Sequence, residues 1–512
     1  MRPLPADAVV AVIGAGAMGA GIAQVAAQSG HPVRLFDSRI GAAETARRKI
    51  VATLESLAAK GKMSIDAARS AGERIAVVDV LADCVSAKLV IEAIVEELEA
   101  KCALLRELEA IVAFDAILAT NTSSLSITAL AAGLKHPSRV VGMHFFNPAP
   151  ILPLVEVVSG LETDSTIADA IYATAAAWGK FPVHAASTPG FIVNRCARPF
   201  YGEALRLLSE RATDPATLDA VMRDAGGFRM GPFELMDLIG HDVNFAVTRS
   251  VWDAYFHDPR YTPSVLQHEL VAAGFLGRKT GRGFFNYANQ AAKPDIIALP
   301  AQSRPAAVRA CGELRAAGTL LSRLASANVI VERGPPNPAF PSGAIAVGGG
   351  WLALTDGRTA TTRGAAVGVR DLVLFDLALD YATCTRLAVS RADTCSESVW
   401  RAAAGALQAA GIAVSPLDDV AGLAVMGTVA MLANEAADAV TQKIATAHDV
   451  DIAMQKGVNY PLGPLAWADR IGIAQVRDVL VHLGAQYGGD RYRVSPLIAR
   501  RCATGQPLAD PS

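Results

Sequence analysis

The six residues Gly14-Ala15-Gly16-Ala17-Met18-Gly19 constrain this chain's fold more than any other feature. An apolar run, AVVAVI over 8–13, precedes them, and an apolar helical stretch follows and ends at Gly30. The next apolar run, 33–36, closes on Asp37. A strand, G-x-G-x-x-G, a helix and an acidic residue about twenty positions on are the layout of a dinucleotide-binding βαβ unit. Gly14 permits the tight turn, Gly16 lets the backbone approach a pyrophosphate, and Gly19 lets the helix pack on the strand. The helix N-terminus offers unpaired N–H groups and a positive dipole end to phosphates. Asp37 can accept both ribose hydroxyls and repels a 2′-phosphate, which favours NAD over NADP; Arg39 is near enough to weaken that preference. The motif alone leaves FAD open.

Further strands are expected at 74–78, 89–93, 116–120 and 139–143, separated by helical stretches such as 42–60 and 98–114. The 42–60 stretch and its continuation carry Arg47, Arg48, Lys49, Lys60 and Lys62. Such a run is ordinarily a solvated helix face; a phosphate-rich substrate tail is the sharper reading. Residues 121–124, Asn-Thr-Ser-Ser, follow a strand directly, where doubly wound sheets place their ligands.

Residues 144–156 read HFFNPAPILPLVE. His144 ends one expected strand, 154–158 forms another, and three prolines lie in the connection. If the strands fold back about Pro150, His144 and Glu156 come opposite one another. Oxidising an alcohol requires removal of the hydroxyl proton as a hydride departs. An imidazole titrating near neutrality can take that proton, while a carboxylate fixes its tautomer and stabilises the imidazolium. A lone histidine among aromatics is more often a satisfied core residue; a strand end, a nucleotide fold and a facing acid reverse that balance.

Residues 119–160, 188–195 (TPGFIVNR) and 279–287 (KTGRGFFNY) closely resemble the L-3-hydroxyacyl-CoA dehydrogenase family, and the match runs from the first strand to about Tyr287. The resemblance implies NAD as cofactor and an acyl-CoA thioester as substrate. It implies His144 as general base oriented by Glu156, and Ser123 and Asn194 as hydrogen-bond partners of the reacting oxygen or the thioester. Asn147 would hold the nicotinamide or substrate near His144, and Glu96 and Lys101 would contact the cofactor. Thr53 and Lys60 fall where the family touches CoA, with Thr at a position where Ser is also used.

From Thr188 the pattern turns helical, at 191–210, 214–225, 232–256 and 264–273, and this unit occurs twice. Glu203, Asp219, Gly231, Pro232 and Asp237 recur as Glu435, Asp451, Gly463, Pro464 and Asp469, a constant offset of 232 residues. The second copy has Met426 where the first has Asn194, and Gly427 where it has Arg195. We therefore read 415–505 as structural, packing on the first helical copy much as two subunits of a short family member would, and expect one active site per chain. Residues 291–410 hold strand-like runs at 329–332, 344–347, 372–375 and 386–390 and a helical stretch at 398–410. Gly348-Gly349-Gly350 lacks the fingerprint spacing, which argues against a second cofactor site. The fold class is thus α/β: a Rossmann-type doubly wound sheet, an all-α domain, a degenerate α/β segment and a second helical domain. The segments are 1–187 (NAD-binding), 188–290 (helical substrate and dimerisation), 291–410 (degenerate α/β) and 411–512 (second helical, non-catalytic). This arrangement resembles the long bacterial branch of the family, that of 3-hydroxybutyryl-CoA and 3-hydroxyadipyl-CoA dehydrogenases, which implies fatty-acid β-oxidation or phenylacetate catabolism.

Composition narrows the alternatives. A net charge of −2 gives no reason to expect nucleic-acid binding, and 52% apolar against 19% charged residues suggests extensive burial. The longest apolar run, 420–433, is too short for a membrane span and reads as a buried helix. Residues 1–8 are too few for a signal or transit peptide, and the seven scattered cysteines show no zinc spacing, so a cytoplasmic protein without metal or disulfides is expected. Oligomeric state stays open between a homodimer and a monomer whose duplicated helical domains pair within the chain. Two other functions compete: an NAD-dependent sugar-acid dehydrogenase of the gulonate, λ-crystallin-like type, and a non-catalytic nucleotide-binding protein. The intact Ser123, His144, Glu156 and Asn194 set argues against the latter. No segment resembles a hydratase.

Overall fold

Short runs of Val, Ile and Leu, too brief for helices, form the strands of the first sheet. They are β1 (Val10–Ile13), β2 (Val33–Phe36), β3 (Ile75–Val77), β4 (Leu89–Glu92), β5 (Ile117–Thr120), β6 (Val140–Phe145), β7 (Leu154–Ser159) and β8 (Phe181–Ala186). This computed structural model describes residues 2–288, 292 and 294–509. The strand order is β3-β2-β1-β4-β5-β6-β7-β8, parallel throughout except for the antiparallel pair β6–β7. Strands β1, β4 and β5 are buried along their whole length, as parallel strands covered on both faces must be. Chain order reverses between β1 and β4, so the ligand crevice of such a sheet lies beyond their carboxyl ends.

The sequence reading placed seven of these strands and missed β8, whose FPVHAA run contains a proline. Pro182 is tolerated because β8 is an edge strand. Strand β6 also runs two residues past its expected end, so His144 lies inside the strand. The helix expected over 191–210 divides into Val193–Cys196 and Arg198–Ser209, with Pro199 at the start of the second piece. The one expected over 232–256 breaks into Pro232–Ile239 and His241–Ala254 at Gly240, where φ is 98°.

The chain forms two compact units, one holding residues up to Arg195 together with Gln442–Val458, the other Cys196–Thr441 with the residues from Asn459 onward. The expected boundary at 290/291 lies outside the described residues. In the second unit a seven-stranded sheet has the order β10-β9-β11-β12-β13-β14-β15. Its strands are β9 (Ala307–Cys311), β10 (Ile330–Gly334), β11 (Ala344–Val347), β12 (Gly350–Leu354), β13 (Leu372–Phe375), β14 (Arg386–Arg391) and β15 (Ala413–Pro416). Strands β9, β12 and β15 carry no clear sequence signal. Gly348 and Gly349, with φ of 60° and 86°, make the two-residue hairpin turn between β11 and β12.

The 232-residue repeat extends into this sheet. Strands β13, β14 and β15 begin 232 residues after β6, β7 and β8, and keep the same antiparallel-then-parallel pairing. The two helical copies also pair inside the second unit, where the Arg198–Ser209 helix packs on the almost wholly buried Val425–Thr441 helix. Phe228 and Tyr460, equivalent in the repeat, meet edge to face with ring centroids 5.1 Å apart. Glu435 accepts from Tyr261 Oη at 2.6 Å and pairs with Arg260 at 3.2 Å. No helix among the described residues is long and apolar enough to cross a membrane.

At the repeat position of His144 stands Asp376, and at that of Glu156 stands Ala388. The wholly buried Asp376 carboxylate accepts the backbone N–H groups of Leu377, Ala424, Val425 and Met426 at 2.7 to 2.9 Å. Asp376→Ala would strand these donors without water, and is expected to lower unfolding free energy by about 3 kcal/mol. Asp376→Asn, which keeps one acceptor oxygen, should lose clearly less, as urea denaturation of the full chain will measure.

Candidate active site

The carboxyl ends of β1, β4, β5 and β6 assemble the site. At the end of β1, Gly14 turns with φ of 102°, and a Cβ there would lie 2.5 Å from the Ala93 carbonyl oxygen at the end of β4. A Cβ on Gly19 would collide with the Gly14 carbonyl, so the helix must meet the strand at a glycine. Around Gly16, by contrast, a Cβ would find nothing within 4 Å, leaving the backbone open to an approaching ligand. The Ala17–Gln28 helix begins there without a side-chain cap or first-turn acid, so its N-terminal field is uncompensated. A cleft of about 860 Å³ runs past Gly14, Gly16, Phe36, Asp37, Asp79 and Ile94.

In this cleft Asp37 Oδ2 accepts the Ala15 N–H at 2.8 Å and Oδ1 accepts Arg39 Nε at 3.1 Å. Burial acts to raise the Asp37 pKa, but the hydrogen bonds from Arg39 and Ala15 outweigh it and hold the carboxyl below its usual value. Asp37 is therefore an anion at the position where a ribose would lie, with Arg39 drawn onto it. The open Gly16, the uncapped helix and this carboxylate fit NAD.

Beyond β4 and β5 lies a network of buried charge. Lys101 is 1% exposed and its Nζ donates to Glu92 Oε1 at 2.6 Å, with Glu96 Oε2 at 3.3 Å. Glu92 also accepts from Thr120 Oγ1 at 2.7 Å and the Ile94 N–H at 2.6 Å. Glu96 Oε1 gathers the loop after β5, accepting from Thr122 Oγ1 at 2.7 Å and the Ser123 N–H at 2.8 Å, and from the N–H and Oγ of Ser124. Burial would raise the Glu96 pKa, yet the Thr122 hydrogen bond and the Lys101 charge prevail and lower it.

On the antiparallel pair β6–β7, His144 and Glu156 are direct register partners. His144 Nδ1 lies 2.6 Å from Glu156 Oε2. The other carboxylate oxygen, Oε1, accepts the N–H groups of Ile192 and Val193 at 3.0 and 2.9 Å. Those groups are aimed by Gly190 and Phe191, both at positive φ (76° and 47°), a conformation strained for phenylalanine. The repeat preserves the turn at Gly422 and Leu423, where φ is 80° and 50°. The imidazole is 5% exposed and edged by Phe146 and Phe191 at 4.5 and 5.8 Å.

The expected residues thus fall into two groups. His144 and Glu156 meet; Glu156 holds the backbone next to Asn194; and Asn194 Nδ2 reaches the Ser123 carbonyl at 3.5 Å. Ser123 is bound to Glu96, and Glu96 to Lys101. Lys101, expected to contact the cofactor, is itself buried and pairs with the buried Glu92 and the exposed Glu96. Asn147 is exposed just after β6. Thr53 and Lys60 lie on the exposed face of the Ala42–Ala59 helix and at its end, and the Thr53 hydroxyl bonds the Lys49 carbonyl of its own helix. Arg47 is spent on the Ile75 carbonyl at 2.9 Å. Sequence reasoning missed Glu92, whose only signal was an acid ending an apolar strand. Asn121, part of the polar 121–124 stretch the sequence flagged, steadies the strand beside His144: its Oδ1 accepts the Phe145 N–H at 2.8 Å.

Comparison with known proteins agrees with this geometry. Residues 9–188 match the family described as 3-hydroxyacyl-CoA dehydrogenase, NAD binding domain, and residues 190–287 and 422–508 both match its C-terminal domain. Residues 352–420 match the 3-hydroxybutyryl-CoA dehydrogenase reduced Rossmann-fold domain. The chain is similar to a 3-hydroxyadipyl-CoA dehydrogenase of Escherichia coli, with 40% identity over 96% of this chain and 97% of that protein. It is 38% identical to human mitochondrial hydroxyacyl-coenzyme A dehydrogenase over 54% of this chain and 90% of the human one. The crystal structure of a 3-hydroxybutyryl-CoA dehydrogenase from Escherichia coli K12 superposes with a TM-score of 0.88 at 39% identity, covering 97% of this chain and 98% of that one.

Gly16→Val places its side chain in open space, so the fold should persist while the pyrophosphate path closes. Fluorescence titration should show NADH affinity reduced about 100-fold or more, roughly the loss of the close backbone contact, with Tm unchanged. Unchanged affinity would count against this groove as the cofactor cradle.

Proposed function

This chain belongs to the 3-hydroxyacyl-CoA dehydrogenase family, and from that premise we propose that His144 and Glu156 are the reacting pair in its NAD-dependent oxidation of 3-hydroxyacyl-CoA to 3-ketoacyl-CoA. The observation that carries this reading is the 2.6 Å contact between His144 Nδ1 and a carboxylate whose second oxygen is already held by two backbone N–H groups. With its proton on Nδ1 and donated to Glu156, the imidazole presents a bare Nε2. That nitrogen takes the 3-hydroxyl proton, and Glu156 stabilises the resulting imidazolium. NAD, when bound, supplies the hydride acceptor. Ser123 and Asn194, whose Nδ2 lies 3.5 Å from the Ser123 carbonyl, would hydrogen-bond the reacting oxygen or the thioester carbonyl, with Asn147 holding the nicotinamide or substrate near His144. Gly14, Gly16, Gly19 and Asp37 would hold the dinucleotide, and Glu96 the loop beside it. Thr53 and Lys60 would meet the CoA portion.

We divide the labour among the four segments 1–187, 188–290, 291–410 and 411–512 as cofactor binding, substrate binding, degenerate α/β scaffold and non-catalytic helical copy. We place the protein in the cytoplasm and in β-oxidation-type catabolism, including that of phenylacetate; the similarity to a 3-hydroxyadipyl-CoA dehydrogenase over 96% of the chain supports an acyl-CoA substrate of that kind. Comparing kcat/KM for 3-hydroxyadipyl-CoA and 3-hydroxybutyryl-CoA tests the phenylacetate placement, which strong preference for the short chain would contradict.

His144→Gln should lower kcat by about 10³-fold, and Glu156→Gln by about 10²-fold, with KM for NADH little changed, as loss of the proton-transferring group and of its orienting acid require. Acetoacetyl-CoA reduction followed through NADH absorbance measures both. Turnover of gulonate in place of acetoacetyl-CoA would overturn the thioester reading.

A further inference from the structure

One helix of the second helical copy belongs to the first compact unit. The Ala447–Val458 helix packs on β7 and β8, the edge of the sheet that carries Glu156. Three contacts fix the helix and the segment that leads into it. The Ala186 N–H of β8 donates to the Ile444 carbonyl at 2.8 Å; Arg195, 1% exposed, donates from Nη1 to Gln442 Oε1 at 2.8 Å; and Lys456 Nζ lies 4.6 Å over the Phe181 ring.

The helix also carries a glycine, Gly457, in its last turn. Its reason is close approach. A Cβ at Gly457 would lie 2.6 Å from Leu154 Cδ2 and 3.1 Å from Val193 Cγ2. Both neighbours bear on Glu156. Leu154 is two residues before it on β7, and so on the same face of the strand, while Val193 donates its N–H to Glu156 Oε1 at 2.9 Å. The glycine thus lets the helix press on Val193, whose N–H holds the carboxylate, and on Leu154 beside it on the same strand face.

We propose that the Ala447–Val458 helix, drawn from the copy that lacks Asn194, is a positioning element for the reacting pair, with Gly457 as the point of contact. This rests on the reading of His144 and Glu156 given above. It gives the second copy a task beyond packing: its helix buttresses the orienting acid of the one complete site.

The test is a graded series in the full chain. Gly457→Val should lower kcat about tenfold, within the hundredfold that an ångström of misplacement can cost, and leave NADH affinity unchanged. Gly457→Ala should give a smaller loss and serves if the valine variant fails to fold. Adding Leu154→Val to Gly457→Ala removes the clashing methyl and should restore kcat. The control is Gly350→Ala in the second sheet, which drives a Cβ to 2.5 Å from Val399 Cγ1 of the Glu397–Ala409 helix and should lower Tm without lowering kcat. A readout independent of turnover is the low-field imidazole proton of the His144–Glu156 hydrogen bond, assigned with His144→Gln; it should shift or broaden in the Gly457 variants and stay in the control. An unchanged kcat and resonance in Gly457→Val overturns the proposal, as does an equal loss of kcat in the control. Failure of the His144 reading is separate: it would appear as undiminished turnover in His144→Gln.

Discussion

A single carboxylate, that of Glu156, joins the parts of this site. One oxygen takes the His144 imidazole across the β6–β7 pair, and the other takes two N–H groups from the turn that begins the helical domain. An acid with only one of these partners could swing. With both, one oxygen is held by backbone N–H groups while the other faces His144 Nδ1, and the proposed tautomer of the histidine rests on this arrangement. The strained φ of Phe191 is understandable on this basis, because it aims the Ile192 and Val193 N–H groups at Glu156. The order continues outward through Asn194 and Ser123 to Glu96 and the sealed Lys101–Glu92 pair, so a polar wall is built from buried charge instead of loop flexibility.

The second copy shows which part of this design is structural. There the strained glycine-led turn persists at Gly422 and Leu423, and its N–H groups still end on a buried carboxylate. That carboxylate comes from Asp376, at the histidine's place on the neighbouring strand, while the acid's own place is Ala388. Anchoring the helix start has been kept and the free carboxylate oxygen for an imidazole has been lost. The second copy thus keeps the anchored start of its helix and lacks the His–Glu pair, with Asp376 and Ala388 at the equivalent positions.

Much of this was legible in the sequence, for definable reasons. The nucleotide fold followed from glycines in context, and the His144–Glu156 contact from two residues equally spaced about Pro150, because antiparallel register follows from turn symmetry. Strand β8 was hidden by Pro182, which only an edge position tolerates, and β12 by the glycines of its own hairpin turn. The backbone donors at Ile192 and Val193 leave no side-chain signature. Lys101 was recognisable by resemblance but its burial was not, since that depends on Glu92 meeting it from a neighbouring strand. The extension of the repeat into the sheets was invisible because those strands conserve spacing and pairing while keeping few identical residues.

The central claim is that Glu156 fixes His144 with its proton on Nδ1 and a bare Nε2 toward the substrate. The most direct measurement is the ¹⁵N NMR spectrum of the chain labelled at its nine histidines, with His144 assigned by its absence in His144→Gln. At neutral pH we predict a protonated, strongly hydrogen-bonded Nδ1 and an unprotonated Nε2, with Glu156→Gln abolishing that preference. A proton resident on Nε2 in the unsubstituted chain would contradict the account.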